Sequence, residues 1–282
     1  MFYSPYHSPA ELKAKPTLCG IPFLAPWANR VETDAYWLNG KKYLLNPDLG
    51  NVRPDRNKIA MHGFLTFSPD WTLVSVGADK RSAWSTSRLE FWKHPEMMAQ
   101  FPFAHTITMT YRLANGALEV ETTLENQSAE PMPVAIGFHS FYRVNDAPPD
   151  QWKIHLGARE QLVLSREVIP TGERISVQSK YSDPLPLKGV RFDDVFTNLI
   201  RDANGLGEFW IQGKTEKVSV IYGPKYDVAV VVAADRDYVV MEAMSAITNA
   251  FNLAHRGIYK DLQMVAPDGE WRESFWVKPS GF

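Results

Sequence analysis

A single cysteine, Cys19, stands in a chain of 282 residues. No disulfide can form within the chain, and cysteine usage leans mildly to the cytosol. Its apolar neighbours Leu18 and Ile21 mark Cys19 as a small buried hydrophobe rather than a reactive thiol. Long apolar runs are lacking too: none reaches the roughly 18 residues that a membrane helix needs. The opening stretch from Met1 to Leu12 has no basic segment leading into an apolar one, so no secretory signal is visible. Charge of one sign is also missing, since 30 basic and 32 acidic residues leave a formal net charge of -2. Lys and Arg are scattered, with no run that could track a phosphate backbone. Neither nucleic acid nor an anionic membrane is expected as a partner. The histidines are isolated and cysteines are never paired, so no metal-binding spacing is present. These absences leave a soluble, cytoplasmic protein, and 45% apolar residues are enough for one large core.

What is plentiful is aromatic. Nine Trp and eleven Tyr suit a protein that stacks rings on the C–H faces of sugars, but the count alone favours core filler. Most of the chain reads as short strands. Ala104–Leu113 and Ala117–Leu124 alternate apolar and polar residues, and the Asn115-Gly116 between them is a hairpin signal, because a type I′ turn needs positive φ at both positions. Further strands are expected at Trp84–Trp92, Met132–Phe138, Trp152–Leu156, Gln161–Leu164, Lys217–Tyr222, Val228–Ala233 and Tyr238–Met241. Gly, Pro and Asp punctuate them, which argues for an all-β antiparallel sandwich or barrel and against βαβ units. Helices are few: Ser8-Pro9-Ala10-Glu11 looks like an N-cap with Pro at the first helical position, and Ile247–Leu253 suits a turn or two. Tyr181–Leu187 reads as a surface loop. No repeat or linker divides the chain, so residues 1–282 are read as one domain.

Four clusters place chemically capable side chains beside Gly, Pro or aromatic residues. The first runs from Gly20 to Arg30 and holds Pro26-Trp27-Ala28-Asn29-Arg30. The second is Met61-His62-Gly63-Phe64, followed by Trp71. The third is Gly137-Phe138-His139-Ser140-Phe141-Tyr142-Arg143. The fourth comprises Phe192-Asp193-Asp194-Val195-Phe196-Thr197 and, further on, Met241-Glu242-Ala243-Met244-Ser245. In order and in kind they resemble the aldose 1-epimerase (mutarotase) family: Pro-aromatic-Ala-Asn-Arg, His-Gly-Phe, a later Phe-His on a strand, Asp-Asp-x-Phe-Thr and Glu-x-Met-Ser. Each piece is weak alone, but five in sequence over about Gly20 to Asn252 are specific.

The resemblance implies a large antiparallel β-sandwich holding one sugar ring on a concave face, with catalysis that needs no cofactor. Glu242 would be the base that takes the proton from the C1 hydroxyl, and His139 the acid that protonates the ring oxygen. His62 would help at the ring oxygen, while Asn29 and Arg30 would hydrogen-bond sugar hydroxyls. Asp193 would accept from a secondary hydroxyl, with Asp194 a second candidate for that place. Trp27 and Trp71 would line the sugar site, being close in sequence to Asn29 and His62. The implied partner is a monosaccharide, an aldose such as glucose or galactose, bound by a monomer or a homodimer.

The chemistry is sound apart from the name. Opening a hemiacetal removes a proton at one oxygen and delivers one to another, and each positioned group contributes about 10²–10⁴-fold. Burial can bring a carboxylate and an imidazole toward neutrality. Plainer readings stand beside each assignment. His139 follows alternating Val134, Ile136 and Phe138, so it faces away from them, yet a satisfied, partly buried His would do the same. His62 before Gly63 suits a tight turn or is simply a loop residue. Glu242 ends an apolar run, where an unpaired carboxylate is costly, unless Arg30 pairs with it. One of Asp193 and Asp194 would only cap a turn. His7, His94, His105, His155 and His255 read as surface or core residues, and Trp152, Trp210, Trp271 and Trp276 as core.

In one respect the chain departs from the family. Resembling chains carry several strands before the segment that matches Gly20, where only nineteen residues precede it here. N-terminal strands are therefore expected to be missing or supplied by a partner, leaving an open edge. Two competing functions remain at this level. A hexose-6-phosphate epimerase would need a basic cradle, and Phe64 to Trp71 has no Arg or Lys, although Arg53 and Arg56 lie upstream. A non-catalytic sugar-binding module would keep the aromatics but not the acid–base pair.

Overall fold

The computed structural model describes residues 1–234 and 236–282. Two antiparallel sheets hold most of the strands. In the eight-stranded sheet the order is Phe23–Leu24, Gly137–Phe138, Val239–Met244, Val228–Ala233, Phe192–Leu199, Ala158–Leu164 and Pro170–Ser176, with Phe141–Tyr142 also pairing Val239–Met244. The nine-stranded sheet runs Leu185–Pro186, Lys153–His155, Gly207–Gln212, Lys217–Tyr222, Glu270–Ser280, Ala117–Asn126, His105–Ala114, Ser82–Glu90 and Thr72–Ala78. Among the described residues the α-helices are short: Pro9–Ala14, Pro95–Met98, Val177–Lys180 and Ala250–His255. None is long and apolar enough to cross a membrane.

The sheets meet through aromatic rings. Phe138 of the first lies 4.8 Å from Phe275 of the second, and Phe196 lies 6.2 Å from Phe209, centroid to centroid. All four are fully buried, so the core sits between the sheets and the molecule is the expected antiparallel sandwich. Alternation then turns the neighbours of these rings outward. Phe196 faces in, so Asp193, Val195 and Thr197 face out, and His139 opposes Phe138 in the same way. The register sets Val230 beside both Val195 and Glu242, which puts Glu242 on the outer face as well.

Local expectations are met where turn chemistry is explicit. Asn115 and Gly116 take φ of 53° and 72° between strands paired as Ala114 with Ala117. Ser8 Oγ accepts from the Glu11 amide at 3.3 Å and caps Pro9–Ala14. Met132–Phe138 is not one strand. Its first half, Met132–Val134, pairs with Gln263–Val265, and its end crosses to the main sheet. Cys19 is half-buried rather than part of the core.

The first residues lie along Phe141–Tyr142. The Tyr3 amide donates to Phe141 O at 3.0 Å, the Gly20 amide to Tyr3 O at 2.9 Å, and the Phe141 amide to Gly20 O at 2.9 Å. Thr72–Ala78 is the last strand of the nine-stranded sheet, and its Leu73, Val74 and Val76 are 61%, 51% and 72% exposed.

Candidate active site

The first two motifs are tied into one knot of backbone. Ala25 O accepts from the amides of Phe64 at 2.7 Å and Leu65 at 3.2 Å, and the His62 amide donates to Asn29 O at 2.8 Å. Gly63 has φ +62°, and a Cβ there would fall 2.0 Å from Ala25 O. Only glycine allows that approach. Asn29 and His62 also have positive φ, 58° and 64°, and both line one cavity.

That geometry fixes a proton. The Asn29 amide donates to His62 Nδ1 at 3.2 Å. A neutral His62 therefore carries its hydrogen on Nε2, free to donate to a ligand. Arg30 is held by two partners: its Nε donates to Asp55 Oδ2 at 2.8 Å and its Nη1 to Asn29 Oδ1 at 3.0 Å. Burial would raise the Asp55 carboxyl, but hydrogen bonds from Arg30 and from the Ile59 and Asn57 amides hold it below its usual range. Arg30 thus pairs with Asp55 and not with Glu242.

Glu242 comes from the strand Val239–Met244, is 1% exposed, and its Oε2 has no hydrogen-bond partner. Its Oε1 lies 3.6 Å from His139 Nε2, too far for a formed hydrogen bond. The His139 ring stands 5.3 Å from that of His62 and nearly perpendicular to it, at 87°. Burial pushes Glu242 well above its ordinary value, the Asp193 charge adds to this, and Arg30 opposes it. Burial lowers His139 to about 4. Burial, then the charges of His139 and Arg30, lower His62 well below its usual value. Burial thus favours the uncharged form of the carboxyl and of both imidazoles.

These groups open on one cavity of about 370 Å³, lined by Asn29, Arg30, His62, His139, Asp193 and Glu242, a volume in the range of small-molecule sites. Asp193 stands at the mouth. Partial desolvation raises its carboxyl, Arg30 and Arg56 pull against that, and Asp194 adds to it. Among the described residues no three His, Cys, Asp or Glu side chains converge as metal ligands.

Three residues expected here lie outside the cavity. Trp27 is 1% exposed and packs edge-on against Phe64 at 4.9 Å; it follows a cis Ala25–Pro26 peptide and turns inward. Trp71 is half-buried and meets Phe23 edge-on at 6.0 Å. Asp194 points to the opposite face from Asp193, because the two are adjacent on one strand, and it accepts from Tyr181 Oη at 2.6 Å. The aromatics that do line the cavity are Phe141 and Tyr238, with rings 5.1 Å apart at 69°. Period-two spacing was the available signal: Phe141 follows His139 by two, and Tyr238, Val240 and Glu242 share one face. Arg236 also lines the mouth and donates to Tyr238 Oη.

The fold and the outer-face cavity define a galactose mutarotase-like β-sandwich. The aldose 1-epimerase family model matches residues 6–277, and the chain belongs to that family of sugar epimerases. Among solved structures, a galactose mutarotase-like protein from Clostridium acetobutylicum superposes with a TM-score of 0.86 at 20% identity, over 100% of this chain and 86% of that one. A galactose 1-epimerase from Lactobacillus acidophilus NCFM gives 0.73 at 14% identity, over 100% and 86%. In sequence, the uncharacterized protein YihR of Escherichia coli K12 is 23% identical over 235 residues, 81% of this chain and 70% of that protein.

Proposed function

We propose that the protein is an aldose 1-epimerase that interconverts the α and β anomers of a free aldose, with Glu242 and His139 as its acid–base pair. The observation that carries this reading is the buried, unpartnered Glu242 Oε2 beside an imidazole 3.6 Å from the other carboxylate oxygen. A binding module has no use for a carboxyl sunk beneath its ligand surface, where desolvation is costly. A sugar C1 hydroxyl donating to the Glu242 carboxyl, turned into the cavity it lines, supplies the missing partner and favours the ionised form of Glu242. The proton that Glu242 gives up passes to His139, which delivers it to the ring oxygen while Glu242 accepts the one on C1–OH. The C1–O5 bond breaks, the aldehyde turns about C1–C2, and closure runs the same steps in reverse. His62, with its hydrogen on Nε2, steadies the ring oxygen. Arg30, Asn29 and Asp193 hold hydroxyls, and Phe141 with Tyr238 offers an apolar wall for the C–H face of the ring.

Mutarotation of freshly dissolved α-D-glucose and α-D-galactose, followed by polarimetry, tests the proposal. Wild type should accelerate at least one sugar, and Glu242→Gln should lower the rate by about 10²–10⁴-fold or more. A rate untouched by Glu242→Gln would overturn the assignment. A sugar phosphate is the second reading, because the Arg236 guanidinium lines the mouth, where among the described residues it donates to Tyr238 Oη. The neutral sugar is favoured, since Glu242 and Asp193 put two carboxyls in the same cavity and Arg53 is stacked on Phe67 at 4.0 Å. The same assay with hexose 6-phosphates decides between them.

A further inference from the structure

A second cavity, of about 400 Å³, opens on the same outer face of the sheet. Thr197 lines it, four residues beyond Asp193 on one strand and hence roughly 13 Å along that face. Between the two cavities Val195 and Val230 are covered, at 2% and 0% exposure, so the spaces are separate. Two polar atoms in this second cavity lack partners. Thr197 is only 9% exposed and its Oγ1 makes no hydrogen bond, and the buried Oδ1 of Asp227 makes none either. Native folds rarely leave such groups unpaired; both belong to side chains that line this cavity, and a rotation of either toward it would let a ligand's hydroxyls supply the missing partner.

The chemistry of that ligand follows from what surrounds them. Arg201 donates to the carbonyls of Gly205, Tyr222, Gly223, Pro224 and Tyr226, and Arg174 is paired with Glu160 at 2.8 Å. Both lining cations are therefore engaged, and the cavity offers little to an anion. Burial raises the Asp227 carboxyl to about 7, so near neutrality it can either donate or accept. Ile247, Ile258 and Leu162 form apolar walls around it. An uncharged ring that carries hydroxyls at its edge and C–H bonds on its faces meets all of these groups. We infer that this cavity is a second carbohydrate-binding site, in which Asp227 and Thr197 hydrogen-bond the hydroxyls of one neutral monosaccharide unit. The inference goes beyond the reaction proposed for Glu242 and does not depend on it.

Methyl glycosides test it cleanly, because they bind without ring opening. ¹⁵N-labelled protein titrated with the methyl pyranosides of glucose, galactose and xylose should show saturable shifts at the Asn198, Val228 and Tyr259 amides for at least one sugar. Thr197→Val, which keeps the shape of the side chain, and Asp227→Asn should each weaken those shifts about tenfold or more. Should Asp227→Asn fail to fold, Thr197→Val decides alone. Shifts confined to the amides around Glu242 and His139, no shifts with any of the three sugars, or equal affinity in the folded variants would each overturn the site. Mutarotation by the same wild-type preparation reports the Glu242 cavity independently, so failure of one reading is distinguishable from failure of the other.

Discussion

Glu242 and His139 are displaced in opposite directions by one cause. Desolvation penalises charge, so the acid holds its proton and the base refuses one. With the carboxyl raised and the imidazole lowered to about 4, the pair keeps one proton over the whole interval between those values. The reactive arrangement, with that proton on the imidazole, is then a constant fraction of the enzyme within the interval. kcat/KM should accordingly be flat from just above about 4, where His139 takes a second proton, up to the raised value at which Glu242 ionises. A bell with its acid limb at the ordinary histidine value, near 6.5, would contradict this arrangement. Much of the site was legible residue by residue because the motifs carry it: Asn29, Arg30, His62, His139, Asp193 and Glu242 all reach one cavity. The tryptophans misled because proximity in sequence says nothing about which way a side chain turns after Pro26. The partner of Arg30, Asp55, was invisible because it comes from another loop, and that pairing depends on tertiary structure.

At the scale of elements, the knot between residues 25–29 and 61–65 sets His62 and Asn29 together. Gly63→Ala would place a methyl group 2.0 Å from Ala25 O at a backbone angle that alanine resists. We expect a loss of about 2–4 kcal/mol of stability in denaturant titration, together with a fall in mutarotation that Glu242 alone does not explain. A stable, fully active Gly63→Ala would show that the knot does not hold the site. Strands with strict alternation or a marked turn were readable from sequence, as His105–Ala114 and Ala117–Asn126 show. Thr72–Ala78 and Pro170–Ser176 were not. Both lie at sheet margins, and their residues are mostly exposed, so neither carries the half-buried pattern that reveals a strand. Phe192–Leu199 was masked by its paired aspartates, which read as a turn although they face opposite sides of a strand.

For the whole molecule, the nine-stranded sheet ends at Thr72–Ala78, a strand with neither a Lys nor a Pro. Exposed Leu73, Val74 and Val76 beside unpaired backbone groups make this margin a template for edge-to-edge association. Val76→Lys, which adds a charge to the edge, should raise the concentration at which light scattering first detects aggregates and leave mutarotation unchanged. Equal onset in both proteins would place association elsewhere.

The strand that carries Glu242 is hydrogen-bonded to Gly137–Phe138 and Phe141–Tyr142 on one side and to Val228–Ala233 on the other. Opening it means dismantling the middle of a sheet, so its amides should exchange with deuterium only through global unfolding. Heat should then remove the carboxylate and the fold in one event. Any inactivation that precedes the melt would report on the loop that bears His62, and the gap between the two curves would measure how independently that loop opens.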